Sequence, residues 1–463
     1  MFVCYDNDND ALIPERWANE SVALLEEHQV MARLVNRSFE NEIKDFGDVV
    51  NTRKAQIRKG RRRTDTDEYT AADASSTNIR VPLDQWFYDS YVIKDGEASK
   101  SFKDLVKFYM LPAMQNIARQ VDRAILGFAA HKSIKTPTTR SGRLGNLTGS
   151  TGLDFVTNAD MLMNQQNALQ NGRNLIVSAA SKAGMLKVPE FTRADALGPG
   201  ADALRTAQLG TILGFTTYMS QNTPYVDVSG AEVATGTVTN ALAAGGSGSQ
   251  TVSISGYEVQ VGEYFTVAGN DQPTYATAVT ASTNTTAVTA NEANKFATSG
   301  GAVITVYKSC DVANDYAVGH SKEIRVDGHA ANKGPVTGQL ISFGTSSRHT
   351  YVIIEHTVIN STTTDILLDR PLEVLVANND LAFPGPAGSM NPAFHSDAFA
   401  LVTRPLAVPP QGLGAAGAVA TYNDVSMRVL LQYDSKAGGT RVNFDVLAGL
   451  AVLDLNLASL MLG

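Results

Sequence analysis

Arg58, Lys59, Arg61, Arg62 and Arg63 form the one dense positive patch of the chain. Three chemistries suit such a run: salt-dependent binding of phosphates, a solvated loop tip, and docking on an acidic neighbour. Asp65, Asp67 and Glu68 follow it directly. No aromatic residue interleaves the run, so stacking on bases is unsupported. Contact with a neighbouring protein surface ranks first, a solvated loop second and nucleic acid third. At such a rim, charge sets register and association rate more than affinity. Trp86 and Phe87, in the aromatic stretch that follows, join the run as candidate intersubunit contacts.

Other patterns promise catalysis and do not keep the promise. GLGAAG at Gly412–Gly417 formally fits the dinucleotide fingerprint. That fingerprint needs a strand before it and a helix after it, so that the pyrophosphate meets the helix N-terminus. Here Pro409 and Pro410 precede it and the strand-like AVATYNDVSMRVLL follows, so it reads as a Gly/Ala loop. His28, His131, His320, His329, His349, His356 and His395 are scattered, with no HExxH pair and no CxxC; they read as structural residues, not metal ligands. No GxSxG elbow or phosphate-binding GxxxxGKS/T loop occurs. The chain is read as a non-enzyme without cofactor or metal.

Composition narrows the class further. The 463 residues suggest two or three domains. The net charge of −8 argues against a basic nucleic-acid coat, and 18% charged residues is low for a soluble chain, against about 25% ordinarily. Cys4 and Cys310 cannot form a disulfide framework. Asp6, Asp8 and Asp10 stand where a signal peptide would be apolar, and no run reaches the ~18 apolar residues of a membrane span. Assembly in the cytoplasm is the expectation. No Lys or Arg lies between Arg205 and Lys295.

The elements that must position these residues follow from periodicity. Residues 11–45 read as an N-terminal arm with loosely helical spacing, too short to be stable without a surface to lie on. DVVNTRKAQI and NIRVPLDQWFYDSYVI read as two strands of a long hairpin with a polar tip between them; a hairpin alone is at best marginally stable. From Lys100 to His131, Phe102, Leu105, Val106, Tyr109, Met114, Ile117, Ala118, Val121, Ile125 and Phe128 share a helical face, with Pro112 marking a kink or break. Asn158–Gln170 predicts a helix, NLIVSAA a buried strand, ADALRTAQ a short helix and LGTILGFTTYMS another strand. Together they form a compact α+β unit. Residues 225–375 alternate in short runs between Gly and Asn turns, as in a small β-barrel or sandwich. Beyond them, DAFALVTRPLAV, SMRVLLQYD and TRVNFDVLAGLAVLDLNLASLML read as strands, with a short helix around Asp445–Leu450.

Several long segments, in order, resemble tailed-phage major capsid proteins. ALIPERWANESVALLEEHQVMARLVNRSFENEI followed by GDVVNTRK is similar to their arm and first hairpin strand. RVPLDQWFYDSYVIKDGEASKSFKDLV is similar to the return strand leading into their spine helix, and NPAFHSDAFALVTRPLAVPP and GTRVNFDVLAGLAVLDLNLASLML to their closing strands. The resemblance covers roughly 11–220 and 380–463; over 225–375 it is only to the inserted β domain of some podophage coat proteins.

It implies an α+β fold of the Johnson type. The arm would be 1–47, the extended hairpin loop 48–98, the spine helix and peripheral domain 99–150, and the axial domain 151–224. An inserted β-barrel-like domain would occupy 225–375, and axial and peripheral closing strands 376–463. It further implies hexamers and pentamers of the chain itself, in an icosahedral virion shell that encloses double-stranded DNA without sequence-specific binding or a membrane. A separate scaffolding protein, a portal protein and a decoration protein are the implied partners, and assembly would be noncovalent. A nanocompartment shell enclosing cargo enzymes is the alternative within the fold, and a β-rich adhesin or tail-fibre protein the alternative outside it.

Overall fold

The computed structural model describes residues 18–22, 24–25, 29–37, 49–55, 76–95, 105–134, 140–143, 151–186, 210–226, 233–241, 250–268, 270–282, 285–290, 299–344, 349–385, 388–410, 415–422 and 425–462. Most of the arm, the basic run 58–63 and the short helix expected at 201–208 lie outside them. Contacts divide the chain into two units. The first comprises 1–27, 35–117 and 399–453, and the second 28–34, 118–398 and 454–463.

In the first unit, β1 (Val49–Ala55) and β2 (Ser76–Pro82) pair antiparallel without a register break. The stretch read as a single return strand is two strands. Pro82 has no N–H to give a ladder. After Leu83 and Asp84 the chain enters β3 (Gln85–Lys94), which pairs with a closing strand and not with β1. The closing strands are β4 (Phe399–Arg404), β5 (Ala415–Tyr422), β6 (Val425–Asp434) and β7 (Gly439–Val452). β7 is the axis of their sheet: one edge carries β3 from Gly439 to Ala448, and the other carries β6 and then β4, with β5 beyond β6. The helix expected around Asp445–Leu450 is therefore strand, because ladders occupy both edges there. At the hairpin base Val81 is fully buried against Val402 and Ala451. Gly449 makes that approach possible, since a Cβ on it would lie 2.5 Å from the Pro82 carbonyl.

Helix α1 (Leu105–Ile134) is the expected long helix, and the boundary between the units falls within it. It runs through Pro112 unbroken; Tyr109, Leu111 and Pro112 are exposed, so the carbonyl that the proline leaves unpaired can bond water. In the second unit its burial goes all round, taking in Leu126, Ala129 and Ala130 besides Val121, Ile125 and Phe128. A carboxylate sits in that enclosed stretch. Asp122 accepts the Val30 N–H at 2.9 Å and the Ala32 N–H at 3.2 Å. These groups open the 3-10 turn Met31–Arg33, whose own N-cap supplies no side-chain oxygen. Asp122 thus caps the turn from another element, and Met31 and Ala32 are fully buried. This piece of the arm lies on its own chain.

The second unit holds a seven-stranded sheet in the order Arg140–Arg143, Ala458–Leu462, Gly388–His395, Arg173–Val177, Phe215–Met219, Thr211–Ile212, with Tyr225–Val226 beside Gly388–His395. α2 (Thr151–Gln165) and α3 (Ala179–Met185) pack Val156, Ala159, Met163 and Met185 onto it. α2 starts and ends earlier than the expected Asn158–Gln170, because Asn167 takes a positive φ of 57° and closes the helix. LGTILGFTTYMS is two strands and not one: Leu213 and Gly214 both have positive φ and form a two-residue hairpin turn.

The inserted region is two closed six-stranded barrels, Val233–Tyr307 and Cys310–Pro384, where one β domain ending at 375 was anticipated. Closure pairs each barrel's first strand with a late one, Val233–Val238 with Val303–Tyr307 and Cys310–Val312 with Leu381–Pro384. Tyr264, Tyr307 and Phe383 form an aromatic cluster joining the two barrels. Gly262 and Gly385, both at positive φ, press against it; a Cβ on Gly385 would lie 2.7 Å from the Tyr264 ring.

Gly385→Ala therefore combines a strained backbone with a ring clash, and urea denaturation should show a loss above about 1 kcal/mol. Burial, outweighing the backbone hydrogen bonds, raises the Asp122 carboxyl to about 6. The folded chain thus keeps a proton that the unfolded chain loses near pH 4. Stability should fall between about pH 4 and pH 6, by an amount on the order of 2–3 kcal/mol, and level off above. Asp122→Asn should lack that slope in denaturation series across the same range.

Candidate assembly surface

Strand alternation sends successive β3 side chains to opposite faces of the sheet. Gln85, Phe87 and Ile93 are buried, while Trp86, Tyr88 and Ser90 are exposed. The buried face extends through Val442, Phe444 and Val446 of β7, which are covered. The Tyr91 ring stands 5.6 Å from Tyr109 of α1 and 6.1 Å from Phe444, and Asn116 of α1 donates to Asp89 at 3.1 Å. Burial, and then the charge of Asp89, push the Tyr91 hydroxyl up, and that hydroxyl has no hydrogen-bond partner among the described residues.

The other face is open and its aromatic residue is held in place. Trp86 is 56% exposed, yet its indole N–H donates to Asp445 Oδ1 at 3.3 Å. The second Asp445 oxygen takes Nε and Nη2 of Arg428 at 3.1 and 2.7 Å. Arg428 also donates to the Ala407 carbonyl and lies 5.9 Å from the Trp86 ring centroid. Tyr88 is 65% exposed beside it. Among the described residues β3 pairs only with β7, so its outer edge carries no ladder. Asp84, Asp89 and Asp95 lie along the same strand or next to its ends. A fixed, half-bare aromatic next to a one-sided strand is the kind of residue that anchors protein interfaces.

Of the candidate contacts, Trp86 stands on this face and Phe87 does not. Phe87 is 7% exposed and packs on the covered face of β3. Arg58, Lys59, Arg61, Arg62 and Arg63 lie outside the described residues. Tyr88, Arg428 and Asp445 were not singled out in the sequence; the period-2 spacing of Trp86 and Tyr88 was the available signal. Ala415–Gly417, the described part of the glycine-rich stretch, belongs to the strand Ala415–Tyr422, so no helix follows it to receive a phosphate. His320, His329, His349, His356 and His395 each make local hydrogen bonds, His349 with Glu373 at 2.9 Å and His356 with Thr337. His28 and the side chain of His131 are outside the described residues. Among the described residues no group of three or more His, Cys, Asp or Glu side chains could hold a metal, and no helix is long and apolar enough to cross a membrane.

No family model and no curated protein matches the chain. Solved structures do resemble it. A chain from Mycobacterium phage Che8 shares 13% identity over 94% of this chain and 90% of that one, with a TM-score of 0.44. A chain of the capsid structure of the cyanophage P-SCSP1u shares 10% over 90% and 84%, at 0.40. A chain of the bacteriophage PhiM1 mature capsid shares 9% over 91% and 83%, also at 0.40.

Because Trp86 stands on an open face, Trp86→Ala should change the unfolding free energy of the isolated chain by no more than about 1 kcal/mol. In sedimentation velocity the same variant should shift the population from assemblies toward the free subunit.

Proposed function

We propose that this chain is the major capsid protein of a tailed bacteriophage, forming hexamers and pentamers that close into an icosahedral shell around double-stranded DNA. The observation that carries this reading is the β1–β2 ladder. It joins no other sheet among the described residues, and it rests on its own chain at its base through Val81. A two-stranded ribbon of this kind is stable only where something else covers it. The open face carrying Trp86 and Tyr88 is a matching surface, and the exposed carboxylates Asp84 and Asp95 at the two ends of β3 offer a counterpart to the basic run 58–63 of another copy.

On this reading the loop 48–98 lies over the next subunit, α1 is the spine helix, and the seven-stranded sheet of the second unit forms the axial domain. The low charge of the chain then reflects surface that is interface in the particle. The shell encloses DNA without gripping it, and a separate scaffolding protein, a portal and a decoration protein complete the virion assembled in the host cytoplasm.

Negative-stain microscopy of the chain co-expressed with its phage's scaffolding protein should show closed shells, and native particles should yield nuclease-protected double-stranded DNA. A monomer under every condition would overturn the proposal. Deleting 58–70 should abolish shells while leaving the far-UV spectrum of the subunit nearly unchanged.

A further inference from the structure

A small cavity opens at the mouth of the second barrel, lined by Lys308, Ser309, His329, Lys333, Gln339 and Pro384 among others. Its volume of about 10 Å³ admits a single oxygen-sized group. Gln339 is 3% exposed, and its carboxamide is only half satisfied. Oε1 accepts the Val336 N–H at 3.0 Å, while Nε2 has no hydrogen-bond partner among the described residues. Buried amide N–H groups without an acceptor are rare and costly, so the site calls for one.

Its neighbours are otherwise occupied. His329 Nδ1 faces the Ala330 carbonyl at 3.1 Å, and because a carbonyl only accepts, Nδ1 is the donor there. His329 Nε2 meets the Thr364 hydroxyl at 3.1 Å. The backbone N–H and hydroxyl of Ser309 both go to Glu263, whose carboxylate also takes the Gln260 N–H and the Tyr257 hydroxyl. Two ammonium groups belong to this rim: Lys308, with Nζ 4.7 Å from the Tyr257 ring centroid, and the exposed Lys333. Asp311 and Asp327, register partners on the adjoining strands, and the Glu263 carboxylate on Ser309 offset that positive charge. Binding here therefore depends on the hydrogen bond and the nearby lysines more than on a long-range field.

We propose that this cavity binds a small oxyanion, a carboxylate or a phosphate, which enters with one oxygen. That oxygen accepts the Gln339 Nε2–H, and Lys308 and Lys333 balance the charge outside. Charge-assisted hydrogen bonds of this type are stronger than the neutral bond that a trapped water would supply. The proposal does not depend on the assembly reading.

Thermal unfolding of the full chain at constant ionic strength tests it, with sodium phosphate or sodium acetate replacing sodium chloride. The wild type should show a saturable rise in Tm with phosphate, acetate or both, following the linkage relation for a ligand that binds the folded state. Which of the two acts identifies the class of oxyanion. Gln339→Leu and Lys333→Met should each weaken that apparent binding about tenfold. Lys333 is exposed, so its variant keeps the fold even if the buried one does not. A Tm that ignores both anions, an equal response to chloride, or an unchanged response in Lys333→Met and Gln339→Leu would each overturn the proposal and leave the Gln339 amide to water.

Discussion

Strand β7 has ladders on both edges and a covered face, and the rest of its unit follows from that constraint. With β3 on one side and β6 and β4 on the other, Phe444, Val442 and Val446 can be buried only against what crosses that face. Tyr91 beside Tyr109 shows α1 lying there. The opposite face is then the one left to water, and Trp86 and Tyr88 stand on it. The same alternation that fills the core thus presents aromatic surface outside it. An exposed residue that two neighbours hold in position loses little freedom when it is covered, which suits it to anchor a partner.

The barrels solve the opposite problem. A stretch with no basic residue from 206 to 294 has little charge with which to blunt strand edges. Closing each six-stranded sheet on itself removes the edges altogether. Tyr264, Tyr307 and Phe383 then join the two closed sheets through apolar contact, without ion pairs in the cluster. In the first barrel neutral composition and closure go together, while the second is closed although it carries Lys322, Arg325 and Arg370.

Much of this was legible beforehand, and the failures have physical reasons. The i, i+3, i+4 spacing placed α1 nearly in full, and β1 followed from its alternation. The period-2 pattern of 85–93 could not say which face is inside: Phe87, Tyr91 and Ile93 compete with Trp86, Tyr88 and Val92, and only the packing of α1 decides. The barrels were visible as many short strands between Gly and Asn turns. Their number was hidden, because closure pairs Val233–Val238 with Val303–Tyr307, and nothing local records that. Asp122 was invisible for a different reason. A carboxylate in a helical stripe reads as solvated, and its role depends on backbone N–H groups from a distant segment.

The central claim is that the hairpin and the open face of β3 are completed by other copies of this chain. A cryo-EM reconstruction of assembled particles tests it most directly. The account predicts loop 48–98 of one copy lying on its neighbour, with Trp86 and Tyr88 covered by a subunit. Particles in which the loop touches only its own chain and Trp86 faces solvent would contradict it.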